Sequence, residues 1–274
     1  MTKPLSPAQI EQYRTDGYVE LPDFLTTTEV DLLREEIGRL AAEDSPGRVL
    51  ERDGKLVRAL HGCHQTNGLC KRLTELPRMV GLSEQVLGGK VYVHQFKINF
   101  KAAFGGDVWQ WHQDYIFWRK EDGMRAPHVL NIMLFVDEVT EFNGPLMVIP
   151  GSHMAGMIDV GPKVAGDEGW KASFSADLKY SLDQDTIAGL VQNRGIVAPK
   201  GPAGTALLFH PNLAHASVPN LSPLDRTVLI VTYNRVDNVP VPEGERRPDF
   251  LVSRDATPLT PLSEDVLMAP EMLS

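Results

Sequence analysis

The sequence predicts a mainly β fold, a sandwich or barrel, with helices packed against it as an N-terminal cap. Two capped helix starts open the chain. At Val91 the apolar period falls from the ~3.6 residues of a helix to the ~2 of a strand. Short apolar runs then alternate with turn signals to the end of the core.

The elements follow in order. Ser6-Pro7-Ala8-Gln9 is a capping box with proline at the first helical position, and Gly17 ends that helix. Thr26 to Glu29 is a second capping box. Val30, Leu33, Ile37 and Leu40 then recur at helical spacing and give this helix one buried face. Residues 43–54 are charged and turn-rich, and a third helix is expected over 68–87. From Val91 to Lys101 the pattern is alternating. It assigns Tyr92, His94, Phe96, Ile98 and Phe100 to one face, and Val93, Gln95, Lys97 and Asn99 to a polar inner face. Further strands are expected at 128–136, 146–149, 204–209 and 227–234, with Asn143-Gly144 as a turn. Residues 159–200 read as an insertion with its own helix at 183–191. The proline-rich segment from Val239 reads as irregular structure wrapping the surface. We expect one domain over 1–274: a mainly helical cap (1–90), the β core (91–236) and a tail (237–274).

Composition limits the function. The apolar fraction is 42% and the charged fraction 23%, both ordinary for a folded globular chain. The net charge of −9 argues against a general binder of nucleic acid or anionic membranes, which needs a basic footprint. Cys63 and Cys70 are the two cysteines, too few for a disulfide framework or a four-cysteine zinc site. A reduced, cytoplasmic protein is expected, acting on a small molecule and not on nucleic acid or membrane. The oligomeric state is left open.

Two segments carry chemistry. In Trp109-Gln110-Trp111-His112-Gln113-Asp114, His112 and Asp114 are two apart, so an extended chain puts imidazole and carboxylate on one face. A distant histidine would complete a two-histidine, one-carboxylate triad that leaves three adjacent positions open on ferrous iron. Phe209-His210-Pro211-Asn212-Leu213-Ala214-His215-Ala216-Ser217 offers two candidates, His210 and His215. Arg226 follows His215 by eleven residues at the head of a strand, where a buried guanidinium can clamp a carboxylate.

These segments resemble the iron(II)- and 2-oxoglutarate-dependent dioxygenases of the phytanoyl-CoA dioxygenase family. Asp16-Gly17-Tyr18-Val19, Trp111-His112-Gln113-Asp114, Asn143-Gly144-Pro145-Leu146 and Pro150-Gly151-Ser152-His153 match in order. Within the family the chain is similar to ectoine hydroxylases, and more so to hydroxylases of free proline at the trans-4 position. The latter likeness rests on His61 to His64, Val91 to Asn99, His112 to Trp118, Glu121 to Met124, Thr232 to Arg235 and Arg254 to Leu259. The resemblance implies a double-stranded β-helix, or jelly roll, and Fe(II), 2-oxoglutarate and O2, with ascorbate as an aid in vitro. It implies His112, Asp114 and His215 as metal ligands and Arg226 as the clamp for the far carboxylate of 2-oxoglutarate. Asn99, Asn131 and Ser217, joined by Lys97, fall at cosubstrate-contacting positions; Gln95 and Trp118 fall at substrate positions. His210 stands where the proline hydroxylases carry an acidic residue, and His215 keeps the spacing to Arg226. A carboxylate at Asp114, where related halogenases have a small residue, points to hydroxylation.

The implied substrate is a small free amino acid, proline first. Pipecolate, ectoine or another cyclic amino acid are the alternatives, and a non-catalytic metal-binding jelly roll is an alternative of another class. Arg58 is the candidate for the substrate carboxylate, with Arg125 second. Tyr115 and Phe117 can serve either core or pocket. His61-Gly62-Cys63-His64 lacks a second ligand pair for zinc and reads as a buried turn. His94 is expected on the core face of its strand, and His153 at the barrel rim.

Overall fold

The computed structural model describes residues 4–163, 170, 178–192 and 194–269. Its centre is a pair of antiparallel sheets. The larger is built from β1 (Tyr18–Leu21), β2 (Arg48–Leu50), β3 (Val57–His61), β4 (Val91–Lys101), β6 (Val129–Phe135), β8 (Ala206–Phe209) and β10 (Arg226–Arg235). Their order is β1-β8-β6-β10-β4-β3-β2. The smaller holds β5 (Trp109–His112), β9 (His215–Ser217) and β7 (Leu146–Val148), in the order β5-β9-β7. This is the jelly-roll core, formed as two facing sheets and not as a closed barrel. No helix among the described residues is long and apolar enough to cross a membrane.

Among the described residues six α-helices accompany the sheets: α1 (Pro7–Asp16), α2 (Thr27–Ala42), α3 (Gly68–Thr74), α4 (Pro77–Leu87), α5 (Tyr115–Asp122) and α6 (Gln184–Val191). Both capping boxes form: Gln9 N–H donates to Ser6 Oγ, and Glu29 N–H to Thr26 Oγ1. The single helix expected over 68–87 is two, because proline at 77 cannot continue α3 and instead starts α4. The first 90 residues also supply three strands that periodicity did not reveal. They are three to five residues long, too short for a period to show. Helix α6 forms as expected, but much of the surrounding insertion lies outside the described residues.

The larger sheet separates two environments. Phe96, Ile98, Leu130, Ile132, Leu134, Leu229 and Val231 face the helices and form the main core with Leu33, Leu73 and Met79. The alternate residues Met133, Phe135, Val228 and Ile230 face the smaller sheet with Phe209 and Val148. The alternation in β4 is broken once. Tyr233 pairs with Val93 and Thr232 with Gln95, so His94 is an extra residue, a β-bulge. The bulge puts Val91 and Val93 in the helix-side core with Phe96 and Ile98. His94, expected on that face, packs edge-on against Trp118 instead, with ring centroids 5.4 Å apart. Beyond the bulge, Gln95, Lys97 and Asn99 point between the sheets as the pattern required.

The tail from Val239 is irregular, but it does not only wrap the surface. It docks where glycines leave room: a Cβ on Gly123 would lie 2.0 Å from Val241 O, and one on Gly62 would lie 2.5 Å from Phe250 Cβ. Gln95 Nε2 donates to Leu251 O at 2.9 Å, and Ser253 N–H to His94 O at 2.9 Å. The tail thus becomes a wall of the space between the sheets.

Candidate active site

His112 ends β5 and His215 begins β9, and the two are cross-strand partners. That pairing brings their rings to 4.1 Å between centroids. Asp114 does not continue the strand. Its backbone is helical (φ −67°, ψ −38°) and it opens α5, contrary to the extended reading of His-x-Asp. The turn still delivers its carboxylate: Oδ1 lies 3.8 Å from His112 Nε2 and 3.9 Å from His215 Nε2. All three ligand atoms fall within 4.8 Å of one another, and all three residues are buried. Gln113, between the ligands, is a tie. Its Nε2 donates to Asn212 O (2.7 Å) and Gly156 O (2.9 Å), and its Oε1 accepts from Ile158 N–H (2.8 Å). It locks the loop that leads into His215.

The imidazoles are set to bind metal. Each Nδ1 meets a backbone carbonyl, Gln110 O for His112 (2.6 Å) and Leu213 O for His215 (2.8 Å). A carbonyl only accepts, so each Nδ1 carries the proton and each Nε2 keeps its lone pair. Burial, reinforced by the facing His215, pushes His112 down to about 3, so its ring is neutral at neutral pH. Burial by itself would raise Asp114. Lys97, whose Nζ is 3.5 Å from Oδ1, outweighs it together with the imidazoles and the Asn131 amide, and holds the carboxyl at about 2. Two neutral imidazoles and one ionised carboxylate on one side of a cavity suit ferrous iron with open positions opposite.

Arg226 opens β10 opposite Lys101. Its guanidinium donates through Nη2 to Gly144 O and to Ser217 Oγ (3.2 Å). Its Nε is buried and has no partner among the described residues. Burial lowers the group to about 10, which leaves it cationic at neutral pH. A buried cation with an unused donor, in the same cavity as the ligand cluster, fits the far carboxylate of a dicarboxylate. Gly144 is required here: it has φ +72°, and a Cβ would stand 2.7 Å from Val218 O.

The cavity between the sheets has a volume of about 780 Å³, counted to its open mouth. His112, Asp114, His215, Arg226, Asn99, Lys97, Ser217, Gln95 and Trp118 all line it, as does Phe117. Five candidates are elsewhere. Asn131 donates its amide to Asp114 Oδ2 at 2.9 Å and does not line the cavity. Arg58 is buried, but it is held by Glu51 (2.9 Å) and Val108 O (3.0 Å) and lies 3.7 Å from the Trp109 ring centroid, off the cavity wall. Arg125 is exposed. Tyr115 is buried and donates to Met124 O (3.3 Å). His210 lies off the cavity too, accepting from Asn212 N–H and packing near His153. Of the other histidines, His64 stacks on Phe96, while His61 lines the cavity.

Arg247 was not foreseen. It reaches the cavity from the tail and is gripped by Asp122 at the end of α5, Nε to Oδ1 at 2.8 Å and Nη2 to Oδ2 at 2.5 Å. Nothing in the spacing of Arg246-Arg247-Pro248 announces it. The nearest signal is Asp122 in the Glu121 to Met124 segment.

The phytanoyl-CoA dioxygenase (PhyH) family model matches residues 13–228, a span that includes both histidine segments and Arg226. The chain belongs to this family. It is 46% identical over 269 residues to L-proline trans-4-hydroxylase of Streptomyces griseoviridis, covering 97% of this chain and 99% of that protein. It is 36% identical to ectoine dioxygenase of Halomonas elongata, covering 90% of this chain and 76% of that one. Among solved structures, EctD from S. alaskensis with 2-oxoglutarate and 5-hydroxyectoine superposes with a TM-score of 0.82. The identity is 31%, over 94% of this chain and 88% of that chain. The same protein with bound Fe gives a TM-score of 0.79 at 32% identity, over the same shares of the two chains.

Proposed function

We propose that this protein is an Fe(II)- and 2-oxoglutarate-dependent dioxygenase that converts free L-proline to trans-4-hydroxy-L-proline, releasing succinate and CO2. The observation that carries the reading is one cavity holding His112, Asp114 and His215 at one point and the half-bonded Arg226 at another. Near full-length similarity to an L-proline trans-4-hydroxylase supports the substrate. The net charge of −9 disfavours a nucleic-acid or other strongly acidic macromolecular partner, which is consistent with a free small molecule as substrate.

His112 Nε2, His215 Nε2 and Asp114 Oδ1 would hold the ferrous ion. With 2-oxoglutarate and O2, the ion would supply the oxidising chemistry that hydroxylates an unactivated C–H bond. Arg226 and Ser217 hold the far carboxylate of the keto acid, with Asn99 and Lys97 along its path. The amino acid lies between Trp118, Phe117 and the tail. Gln95 is oriented by its bond to Leu251 O, so its Oε1 is available to accept from the secondary ammonium. Arg247 takes the substrate carboxylate, a role the sequence alone assigned to Arg58. Its Nε–Nη2 side is taken by Asp122, and its Nη1–Nη2 end is the fork that suits a planar carboxylate. Asp122 keeps that fork in place. Together these contacts set which ring carbon faces the metal, which decides the position of hydroxylation.

The test is incubation with Fe(II), 2-oxoglutarate, O2 and a panel of free amino acids and ectoine, measuring succinate and substrate oxygen gain together. Proline-dependent succinate matched by hydroxyproline is expected. Matched turnover of another panel member would reject the substrate and keep the chemistry. No succinate with any of them would reject the reading.

A further inference from the structure

We propose that Thr232 and Asn131 form a positioning chain that makes Asp114 a one-oxygen metal ligand; the inference rests on the metal reading of the site given above. Thr232 Oγ1 donates to Asn131 Oδ1 at 2.7 Å. Asn131 Nδ2 then donates to Asp114 Oδ2 at 2.9 Å. Thr232 and Asn131 are fully buried, and they are cross-strand partners on β10 and β6. Their placement is therefore fixed by sheet register and not by a loop.

The two oxygens of Asp114 have different company. Oδ1 faces both Nε2 atoms and Lys97 Nζ. Oδ2 is occupied by the Asn131 amide. An asparagine amide can present either its oxygen or its nitrogen to a neighbour. The acceptor-only carboxylate of Asp114 draws Nδ2, which leaves the buried Oδ1 of the amide to be satisfied, and the Thr232 hydroxyl is the donor that satisfies it. Without that donor, the amide oxygen is left buried and unpaired, which loosens the placement of Nδ2 on Asp114 Oδ2. With Oδ2 freed, the carboxylate can also chelate through both oxygens and take a position that the cosubstrates need. The chain thus protects the number of open positions as well as the strength of binding. Neither residue lines the cavity, so neither has to touch cosubstrate or substrate for this role.

The test uses Co(II) alone as probe, with dissociation constant and visible d–d spectrum as readouts and thermal melting as a control. Thr232→Val keeps the shape and removes the hydroxyl. It is expected to weaken Co(II) binding about tenfold and to alter the spectrum. Thr232→Ser restores the donor and is expected to match wild type in both. Asn131→Leu provides a second route to the same loss should Thr232→Val fold poorly. Wild-type affinity and spectrum in both Thr232→Val and Asn131→Leu would overturn the proposal. Equal losses in Thr232→Val and Thr232→Ser would also overturn it, since packing and not the hydroxyl would be responsible. Failure of wild type to bind Co(II), or binding unaffected by Asp114→Ala, would instead reject the metal reading itself.

Discussion

The two ends of the cavity are built differently. At the metal end, the side chains belong to strands or leave them directly. His112 and His215 are cross-strand partners, and Arg226 sits in register with Lys101. His112, His215 and Arg226 are each oriented by a backbone carbonyl, and Asp114 by the buried Asn131 amide. At the other end the wall is the tail, an irregular segment held by Gln95, by His94 O and by the Arg247–Asp122 pair. A sheet holds groups to the tolerance that redox chemistry on a metal requires. A tail can change its contacts without disturbing the sheet, so substrate choice can vary while the chemistry stays. The similarity of this chain both to a proline hydroxylase and to ectoine dioxygenases is what such a division allows.

The comparison can be broken by substitutions at either end. The largest effect is expected from His215→Ala, which should abolish proline-dependent succinate and Co(II) binding together; retention of both would remove the metal end from the account. Arg58→Gln comes next, and its effect should be on folding. Glu51 would be left buried without its partner, at a cost of about 3 kcal/mol. Urea unfolding should show that loss while both KM values stay within twofold. A selective rise in the proline KM would return Arg58 to the substrate site. Gln95→Leu removes the tail tie and, with it, the ammonium acceptor proposed above, and should raise the proline KM about tenfold with the 2-oxoglutarate KM unchanged.

The last effect, read as a slope and not as a loss at one pH, is on pH dependence away from the metal. Burial lowers His64 to about 4 and His94 to about 3. The unfolded chain protonates both near 6.5, so below that pH it binds more protons than the folded chain. Stability is therefore full above pH 6.5 and falls on acidification toward pH 4, by about 1.4 kcal/mol per pH unit for each histidine. Replacing His64 with Asn should shallow the slope of urea midpoint against pH in that window; an unchanged slope would remove His64 from the effect.

Much of the metal end was legible in the sequence. His112, Asp114, His215 and Arg226 lie in two compact segments, and strand geometry turns such spacing into position. The bulge at His94 was not legible, because an alternating pattern reads the same with or without one extra residue until the partner strand is known. The helix that begins after Asp114 was hidden by aromatic residues that suit a strand equally well. Arg58 and Arg247 show the limit most clearly. Arg58 stands beside a motif and Arg247 in a tail that no motif marks, and only the fold reveals that the first is held by Glu51 and the second reaches the cavity. Asn131 was placed near the site, but its partner is Asp114, a contact between β6 and the start of α5 that no local pattern encodes.

The division between the two ends is tested most directly by equilibrium binding without oxygen. Arg226→Gln and Arg247→Gln would each be loaded with Fe(II) and titrated with 2-oxoglutarate and then with proline. Arg226→Gln should lose about 100-fold in affinity for 2-oxoglutarate, the loss expected when a buried guanidinium–carboxylate contact is removed. Arg247→Gln should bind 2-oxoglutarate as wild type does and lose proline selectively. Equal losses of both ligands in both variants would contradict the account.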